Sequence, residues 1–305
     1  IGKDNIPFHA IIWPAELIGV GESFDEKMGA EDPQPLVLPY DIPANEFMNL
    51  EGRKLSGSKN WAVYGLDFLD RYDPDPMRYY LTVNMPETRD SDWDWEEFYQ
   101  RNNNELVATW GNLANRVLSF AYKHWEGVVP DPGQLRQADE ALLDTLREGI
   151  MTVADHLEVV KLRAAVHEAM RLAAEVNKYL DTSAPWFEIK EDKAQAAKSI
   201  YTAMQAIDWL KIVFSPFLPH TSEKLQVFLG YDQPIFGELV TQEVVDDLGT
   251  HSVMRYQPGE SLTAGEDDRW LPATLLPGEA FRKPEPLFQK LDASILEEER
   301  ARLGN

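Results

Sequence analysis

The opening segment of the chain places an acid, a histidine and two aromatic rings at spacings that suit a small-molecule site. Asp4 comes where a strand is predicted to end and a helix to begin, and a carboxylate there can accept hydrogen bonds from ribose hydroxyls. His9 and Trp13 are four residues apart, so on a helix they share one face and, with Phe8, could wall an apolar pocket. On spacing alone, the simpler interpretation is a core helix with one satisfied histidine.

A second group is the short loop RKLSGSKN, which runs from Arg53 to Asn60 and combines three basic side chains with two hydroxyls and no acid. The whole chain has 29 Lys and Arg against 52 Asp and Glu, a net charge of −23, so this local reversal is informative. Lysines on such a loop can neutralise the charge that builds on a leaving pyrophosphate. An ordinary solvated turn would explain the same residues.

Two further groups favour contact with nucleobases. Asn112 and Arg116 are i and i+4 on a predicted helix, to one side of its apolar stripe, where they could point into solvent and bind a base edge. Trp186 follows Ala184 and Pro185 after a predicted helix, where an exposed indole could stack on a base. The simpler alternatives are a polar helix flank and a Trp buried between helices.

The elements that must hold these groups change character along the chain. Before about Asn102 the sequence predicts β-rich pieces, turns, and short helices around 66–72 and 76–84. From there apolar residues recur at helical spacing and predict a bundle. Its stripes are Leu106, Trp110, Leu113, Val117 and Ala121, then Leu162, Val166, Ala169, Ala173, Val176 and Leu180, then Ile200, Met204, Ile207, Leu210 and Phe214. A short helix over 221–229 and an irregular or weakly β extension, closed by a helix near 294–303, complete the expectation.

Composition limits the classes of protein to consider. The 305 residues are 44% hydrophobic, which suffices for two or three compact units. No apolar run is long enough to span a bilayer, and the start does not resemble a signal peptide. The absence of Cys excludes disulfides and thiolate zinc sites in this chain and fits a cytosolic protein. The acid excess argues against a general nucleic-acid binder, so RNA contact must be local.

Taken together, these segments resemble the methionyl-tRNA synthetases, a family of class I enzymes. GKDNIPFHAIIWPA is similar to the family's GKD-x3-FH-x3-WPA segment, and KLSGS occupies the place of its KMSKS loop. The segments DPMRYYL, GNLANR, WEGVVPDP, APW, PFLPHTSEKL and PLFQKLD follow in the family's order. The resemblance covers nearly the whole chain and is weakest over 236–275.

The resemblance implies an α/β plus all-α fold. Residues 1–50 would form the second half of a Rossmann-like catalytic domain, and 51–100 the KMSKS-like loop and stem-contact region. Residues 101–230 would form a helical-bundle anticodon-binding domain, and 231–305 a C-terminal extension. The family's HIGH motif, the first half of its nucleotide-binding fold and its zinc knuckle have no counterpart here, so we expect a C-terminal portion that is inactive alone.

The resemblance also implies roles for individual residues. The implied catalytic residues of the loop are Lys54, Ser56 and Ser58. The implied ATP-binding residues are Gly2, Asp4, Lys54 and Lys59, and the implied methionine-binding residues are Phe8, His9 and Trp13. The implied readers of the CAU anticodon are Asn112, Arg116 and Trp186, with Trp186 stacking on a base. His220 would cap the last helix of the bundle, and Gly57 replaces the usual second lysine of the loop.

The implied activity is that of a methionine–tRNA ligase in the cytoplasm. Its substrates would be methionine, tRNA-Met and ATP with Mg²⁺, with the absent half of the catalytic domain as a partner and no membrane, DNA or metal site in this chain. The open alternatives are another class I synthetase, for Val, Leu, Ile or Cys, and a non-catalytic tRNA-binding module derived from a synthetase. A generic helical scaffold explains the loop and pocket residues least well.

Overall fold

The computed structural model describes residues 1–21, 36–246, 249–257 and 274–304, which divide into two compact units. The first unit comprises Ile1–Ala62, Asn84–Trp95 and Arg300–Asn305, and the second comprises Val63–Val83 and Glu96–Glu299. Both units are therefore assembled from stretches that are far apart in the sequence.

The first unit contains short elements around a small parallel sheet. Its helical segments are a 3₁₀ turn at Lys3–Asn5, a π-helical turn at Phe8–Ile12 that continues into α1 (Trp13–Val20), and a 3₁₀ turn at Gly57–Lys59. Strand β1 (Met48–Leu50) pairs in parallel with β2 (Ser91–Trp93). The last residue of each strand, Leu50 and Trp93, is buried, so the sheet supplies the core of this unit.

The turn after β1 leads directly into the loop of Arg53–Asn60. Glu51 and Gly52 both have positive φ, at 48° and 71°, which strains Glu51 but not glycine. The Gly52 N–H donates to both carboxylate oxygens of Asp92, at 3.0 and 2.8 Å, and the Trp95 N–H donates to the Glu51 carboxylate at 3.0 Å. These bonds offset the strain and fix the loop to the segment that carries β2.

The second unit is mainly helical, as predicted from about Asn102 onward. Before the long helices it contains α2 (Gly65–Leu69), α3 (Pro74–Val83), α4 (Trp95–Arg101) and a π-helical stretch at Asn102–Gly111. The bundle helices are α5 (Asn112–His124), α6 (Gln137–Glu158), α7 (Leu162–Ser183), α8 (Pro185–Glu191), α9 (Lys193–Phe214) and α10 (Pro219–Phe228). An antiparallel hairpin of β3 (Glu238–Asp246) and β4 (Gly249–Gln257) follows, and then α11 (Ile295–Ala301), whose last two residues belong to the first unit. None of the helices in the described ranges has the length and apolar character to cross a membrane.

The core of the bundle lies on the predicted stripes. Every residue of the first and third stripes is buried, and in the second only Leu162 is partly exposed. Helix α9 is buried on all sides from Ile200 to Lys211, which the single apolar stripe did not predict. Its alanines leave room for neighbouring helices on every face. Gly149 of α6 likewise allows close contact with α7, since an added Cβ would lie 2.3 Å from the Leu172 side chain.

Helix α10 begins at Pro219 rather than 221, and the predicted cap by His220 is wrong. The His220 side chain is exposed, whereas the buried carboxylate of Asp75 accepts a hydrogen bond of 2.6 Å from the Thr221 N–H. The His220 N–H lies 3.4 Å from the other oxygen of that carboxylate. An acid from α3 therefore satisfies the first turn of α10, because a carboxylate is a better acceptor for helix N-terminal N–H groups than an imidazole.

Candidate functional site

The opening segment is held against the chain that leads into β1. Gly2 forms a parallel bridge with Asn45, and backbone hydrogen bonds join Lys3 N–H to the Asn45 carbonyl at 2.9 Å and Asn45 N–H to the Ile1 carbonyl at 2.7 Å. Asp4 lies in the 3₁₀ turn that follows, with an exposed carboxylate. Gly2 and Asp4, the two residues predicted to contact the ribose, thus lie two positions apart and are both exposed.

His9 and Trp13 share a face, as their spacing predicts. Their ring centres are 6.3 Å apart in an edge-to-face arrangement. His9 Nδ1 lies 3.0 Å from the Asn5 carbonyl oxygen, which can only accept, so this nitrogen carries a proton. Phe8 and Trp13 are 57% and 46% exposed. The first unit therefore presents these aromatic faces and does not enclose them with its own described residues.

The cationic loop is a tight, closed hairpin. Ser56 and Trp61 exchange two backbone hydrogen bonds of 2.9 Å, and the 3₁₀ turn Gly57–Lys59 lies between them. The hydroxyl oxygens of Ser56 and Ser58 are 3.3 Å apart. Asn60 ends the turn with a φ of 47°, a conformation that Asn tolerates better than most residues. The two predicted catalytic serines are therefore neighbours on one exposed turn.

The ring of Phe47 joins the opening segment to this loop. The Lys3 ammonium is 4.5 Å from the ring centre and the Lys54 ammonium is 5.4 Å from it. Lys3 also pairs with Glu46 and, at 3.7 Å, with Asp90, and the hydrogen bond to Glu46 is the main cause that raises the pKa of Lys3. Sequence reasoning missed Phe47, because a lone aromatic residue beside a short strand carries no signal for a ligand site.

The other two cations of the loop differ in how they are held. The Arg53 guanidinium lies 4.6 Å from the centre of the Trp61 ring. The Lys59 side chain is exposed and has no ion-pair or ring partner among the residues that the structure describes. Lys59 is therefore the loop cation most free to meet an anion.

A segment from the far end of the chain supports the loop. The Arg300 guanidinium donates to the Glu51 carboxylate at 3.1 Å, at the start of the loop. At its end, the Asn60 side-chain amide donates to the Arg302 carbonyl at 3.3 Å, and the Gly304 N–H donates to the Asn60 carbonyl at 2.9 Å. We call residues 300–304 the brace. A helix was predicted near 294–303, but no sequence pattern indicated that this segment contacts the loop.

The predicted base-reading residues of the second unit lie together. The Arg116 guanidinium of α5 is 4.6 Å from the centre of the Trp186 ring, which belongs to α8. Asn112, the first residue of α5, is exposed one turn before Arg116. Trp186 is half-buried, with Phe120 packed edge-on at 5.6 Å, so it is neither a fully exposed platform nor a core residue.

Arg116 also lines an open groove between α5, α7 and the preceding π-helical stretch. Its guanidinium donates to the Asn177 side-chain oxygen at 3.3 Å and lies 3.8 Å from the Asp181 carboxylate. Its Nε is buried without a hydrogen-bond partner among the described residues. The groove is lined by Ala108, Thr109, Arg116, Ala174, Asn177, Lys178, Asp181 and Thr182. Hydrogen-bond donors and acceptors of the groove therefore surround Arg116.

A partly buried polar cluster holds α8 through Glu188. Arg136 donates to Glu188 of α8 at 3.1 Å, to Ser199 of α9 at 2.6 Å and to Asp139 at 2.8 Å. Tyr179 of α7 donates to Asp139 at 2.5 Å. Burial opposes ionisation of Asp139, but the bonds from Arg136 and Tyr179 prevail and lower its pKa. Burial and the Asp139 carboxylate raise the pKa of Tyr179 to about 12.

Two family models match the chain in succession. Residues 1–118 match the class I tRNA synthetases (M), and residues 129–266 match the anticodon-binding domain of methionyl-tRNA ligase. The methionine–tRNA ligase of Thermomicrobium roseum is 52% identical over 303 residues, which cover 99% of this chain and 49% of that protein. The methionine–tRNA ligase of Chloroflexus aurantiacus is 46% identical over 307 residues, covering 99% and 50%.

Solved structures show the same similarity. The apo methionyl-tRNA synthetase of Mycobacterium tuberculosis aligns with a TM-score of 0.69 at 25% identity, covering 96% of this chain and 49% of that one. The complex of that synthetase with methionyl-adenylate aligns with a TM-score of 0.70 at 26% identity, covering 94% and 49%. The chain thus spans about half the length of the relatives that it matches.

Proposed function

This chain belongs to the methionyl-tRNA synthetase family, and from that premise we propose that it forms part of a ligase that joins methionine to its tRNA with ATP. The relatives named above are methionine–tRNA ligases that are similar over 99% of this chain. The observation that carries the proposal for the catalytic part is the meeting of two motif segments at one ring. Two lysine ammonium groups lie over the ring of Phe47. One belongs to Lys3, which precedes Asp4, and the other to Lys54 of the cationic loop.

In the proposed first step, a methionine carboxylate oxygen forms a bond to the ATP α-phosphorus while the bond to pyrophosphate breaks. ATP enters as its Mg²⁺ complex. Lys54 and Lys59 neutralise the departing pyrophosphate, and the hydroxyls of Ser56 and Ser58 donate to its oxygens. These four groups suit that task because they lie on one exposed turn without an acid.

The other substrate contacts follow from the opening segment. Gly2 and Asp4 hold the adenosine ribose, with Asp4 as the acceptor for its hydroxyls. Phe8, His9 and Trp13 contact the methionine side chain, because aromatic faces suit a polarisable thioether. In the second step a terminal ribose hydroxyl of the tRNA attacks the methionyl carbonyl and AMP leaves.

We propose that Asn112, Arg116 and Trp186 recognise the CAU anticodon. Stacking on Trp186 and hydrogen bonds from the Arg116 guanidinium are the contacts that unpaired bases accept from proteins. The function implies a cytoplasmic protein, since translation supplies the tRNA there. The zinc that the family resemblance implies would be bound outside this cysteine-free chain.

Pyrophosphate exchange tests the catalytic part. The chain is incubated with ATP, methionine and labelled pyrophosphate, alone and with the part of the Thermomicrobium roseum ligase that it does not match. We expect methionine-dependent exchange only in the mixture, and a loss of that exchange with Lys54→Ala. Full exchange by the chain alone would contradict the need for further segments. Equal exchange with Lys54→Ala would contradict the role of the loop.

Anticodon recognition is tested by fluorescence anisotropy with RNA hairpins that carry CAU or a scrambled triplet in the loop. We expect the chain to bind the CAU hairpin at least about tenfold more tightly, which corresponds to about 1.4 kcal/mol. Equal affinity for both hairpins would refute the proposed recognition.

A further inference from the structure

A second pair of a cation and an indole lies near the Arg116–Trp186 pair. The Lys193 ammonium, at the start of α9, is 5.4 Å from the centre of the Trp125 ring. Trp125 directly follows α5, the helix that carries Arg116. Trp125 and Trp186 are both half-exposed. The arrangement in which a cation lies on one side of an accessible indole therefore occurs twice in this region.

Two further rings connect the pairs. The centre of the Phe120 ring is 5.6 Å from that of Trp186 and 6.2 Å from that of Trp125. The His124 ring is 4.4 Å from Phe120 and 6.3 Å from Trp125. All four rings are partly exposed. We call Trp186, Phe120, His124 and Trp125 the aromatic row.

The row lies in a locally basic region of a strongly acidic chain. Arg116 and Lys193 lie on its indoles, and Lys123 is exposed beside His124. Burial lowers the pKa of His124, and Lys123 and Lys193 lower it further, which favours the neutral imidazole. The neutral imidazole offers an aromatic face for stacking, and the neighbouring cations create a positive potential around it.

Asp181 lies 3.8 Å from the Arg116 guanidinium, whereas the acids next to Lys193 and Trp125 in the sequence leave the positive field at that end of the row largely intact. Asp192, which precedes Lys193, accepts hydrogen bonds from the N–H groups of Ala194 and Gln195 at 2.9 and 3.2 Å and is committed to the start of α9. Glu126, next to Trp125, is exposed, so water screens its charge.

We propose that the aromatic row binds a second nucleotide of the same RNA strand, outside the anticodon triplet, with its base on Trp125 and its phosphate at Lys193. The inference rests on the proposed anticodon recognition and extends it along α5. The ligand is single-stranded, because only an unpaired base can present its face to a ring, and stacking does not require a particular base. Affinity gained there adds to triplet recognition without changing which triplet is preferred.

A third cation–indole pair of the second unit serves as a control. Arg147 lies 5.2 Å from the centre of the Trp209 ring, but Trp209 is only 4% exposed. Its ring has no face to offer a base, so the proposal assigns no RNA contact to this pair.

The first experiment measures the affinity of the full chain for the CAU hairpin. We expect Trp125→Ala to weaken binding about 5- to 150-fold, the loss typical of one base stack. Trp125→Phe should retain most of the affinity, and Arg147→Gln should bind like the unmodified chain. Circular dichroism and thermal unfolding of each variant check that the bundle is intact.

Salt dependence tests the phosphate contact. Lys193→Gln should reduce the slope of log K against log salt concentration by about 0.7, the value for one phosphate of a single strand. Arg147→Gln should leave the slope unchanged. An unaltered slope with Lys193→Gln would overturn the assignment of Lys193.

The position of the second base is found with hairpins that lack one loop base at a time. At one position outside the triplet, removal of the base should cancel the effect of Trp125→Ala. If Trp186→Ala weakens binding while Trp125→Ala and Lys193→Gln do not, the second site is wrong and the proposed function stands. If Trp186→Ala also has no effect, the stacking role of Trp186 in the proposed anticodon recognition fails as well.

Discussion

At the scale of single residues, three site cations lie on aromatic rings, and among the described residues only Arg116 of the three also has an acid within salt-bridge distance, Asp181 at 3.8 Å. Lys54 lies over Phe47, Arg53 over Trp61 and Arg116 over Trp186. An exposed cation–π contact contributes only about 0.5–1 kcal/mol, so a ligand can displace it at little cost. In a chain of net charge −23 this matters, because an ion pair would occupy the cation and bring a further negative charge to the site.

Trp186→Ala tests the stacking contact that we propose for anticodon recognition. We expect the affinity for the CAU hairpin to fall by about 1–3 kcal/mol, because one base loses its stacking surface. Trp186→Phe should recover part of this loss. Anisotropy titration measures both, and unchanged binding by Trp186→Ala would mean that the indole only packs against Phe120 and Arg116.

At the scale of elements, the spacing of apolar residues predicted most of the helices. Contacts with residues distant in the sequence hold the ends of α10 and α8 in place. The Asp75 carboxylate, from α3, caps α10, and Arg136, before α6, orients α8 through Glu188. Each contact places one helix end with respect to another element. The spacing of apolar residues within a single helix contains no information about such partners.

Asp75→Ala should destabilise the second unit by about 0.5–2 kcal/mol, the usual effect of losing an N-terminal helix cap. Urea unfolding measures this change. The control is Asp155→Ala, an exposed acid within α6, for which we expect a change within about 0.5 kcal/mol. Equal effects of the two substitutions would show that Asp75 does not act as a cap.

Asp139→Asn should reduce the loss of folding stability that occurs as the pH falls. The pKa of Asp139 is lowered in the folded state, so its ionised form contributes stability above the unfolded pKa of about 3.9, and this stability is lost as the pH falls through the folded pKa. We expect a loss of about 1–3 kcal/mol at pH 7, from weakened bonds to Arg136 and Tyr179, and a smaller difference near pH 3. Urea unfolding at both pH values measures this, and a difference that grows in acid would contradict it.

The apolar periodicity predicted the bundle, its three stripes and the short helix after them, because a helix repeats within its own residues. It did not predict that α9 is buried on all sides, which depends on how many neighbours surround it. The pairing of Arg116 with Trp186 joins residues far apart in the sequence, and only the family resemblance grouped them. The role of Phe47 and the contacts of the brace with the loop had no signal, although the helix predicted near 294–303 overlaps the brace. The individual roles of the site residues remain predictions.

At the scale of the whole molecule, the excess of acidic residues and the local clusters of basic residues have opposite effects on an approaching RNA. A net charge of −23 repels the phosphates of an RNA at long range and repels itself in the compact state. The positive groups act only at short range, since the Debye length is about 8 Å in physiological salt. Specific binding must therefore come from stacking and directed hydrogen bonds rather than from overall attraction.

Salt should stabilise the fold. Raising NaCl from about 0.02 to 0.2 M shortens the Debye length several-fold and screens the self-repulsion. We expect the melting temperature to rise by about 2–4 °C, which corresponds to ~1 kcal/mol for a chain of this size. Differential scanning calorimetry measures it, and a flat or falling melting temperature would contradict the view that repulsion limits stability.

The brace has a consequence for biosynthesis. It is made after Glu299, the last residue of the second unit, so the ribosome completes that unit before the first one can close. Until then Glu51 and Asn60 lack their partners, and the cationic turn emerges early in translation without the contacts that hold both its ends. A nascent chain that stalls before Arg300 would therefore carry the helices of the bundle with a lysine turn that lacks the contacts at both its ends, so residues 300–304 must be synthesised before that turn is secured.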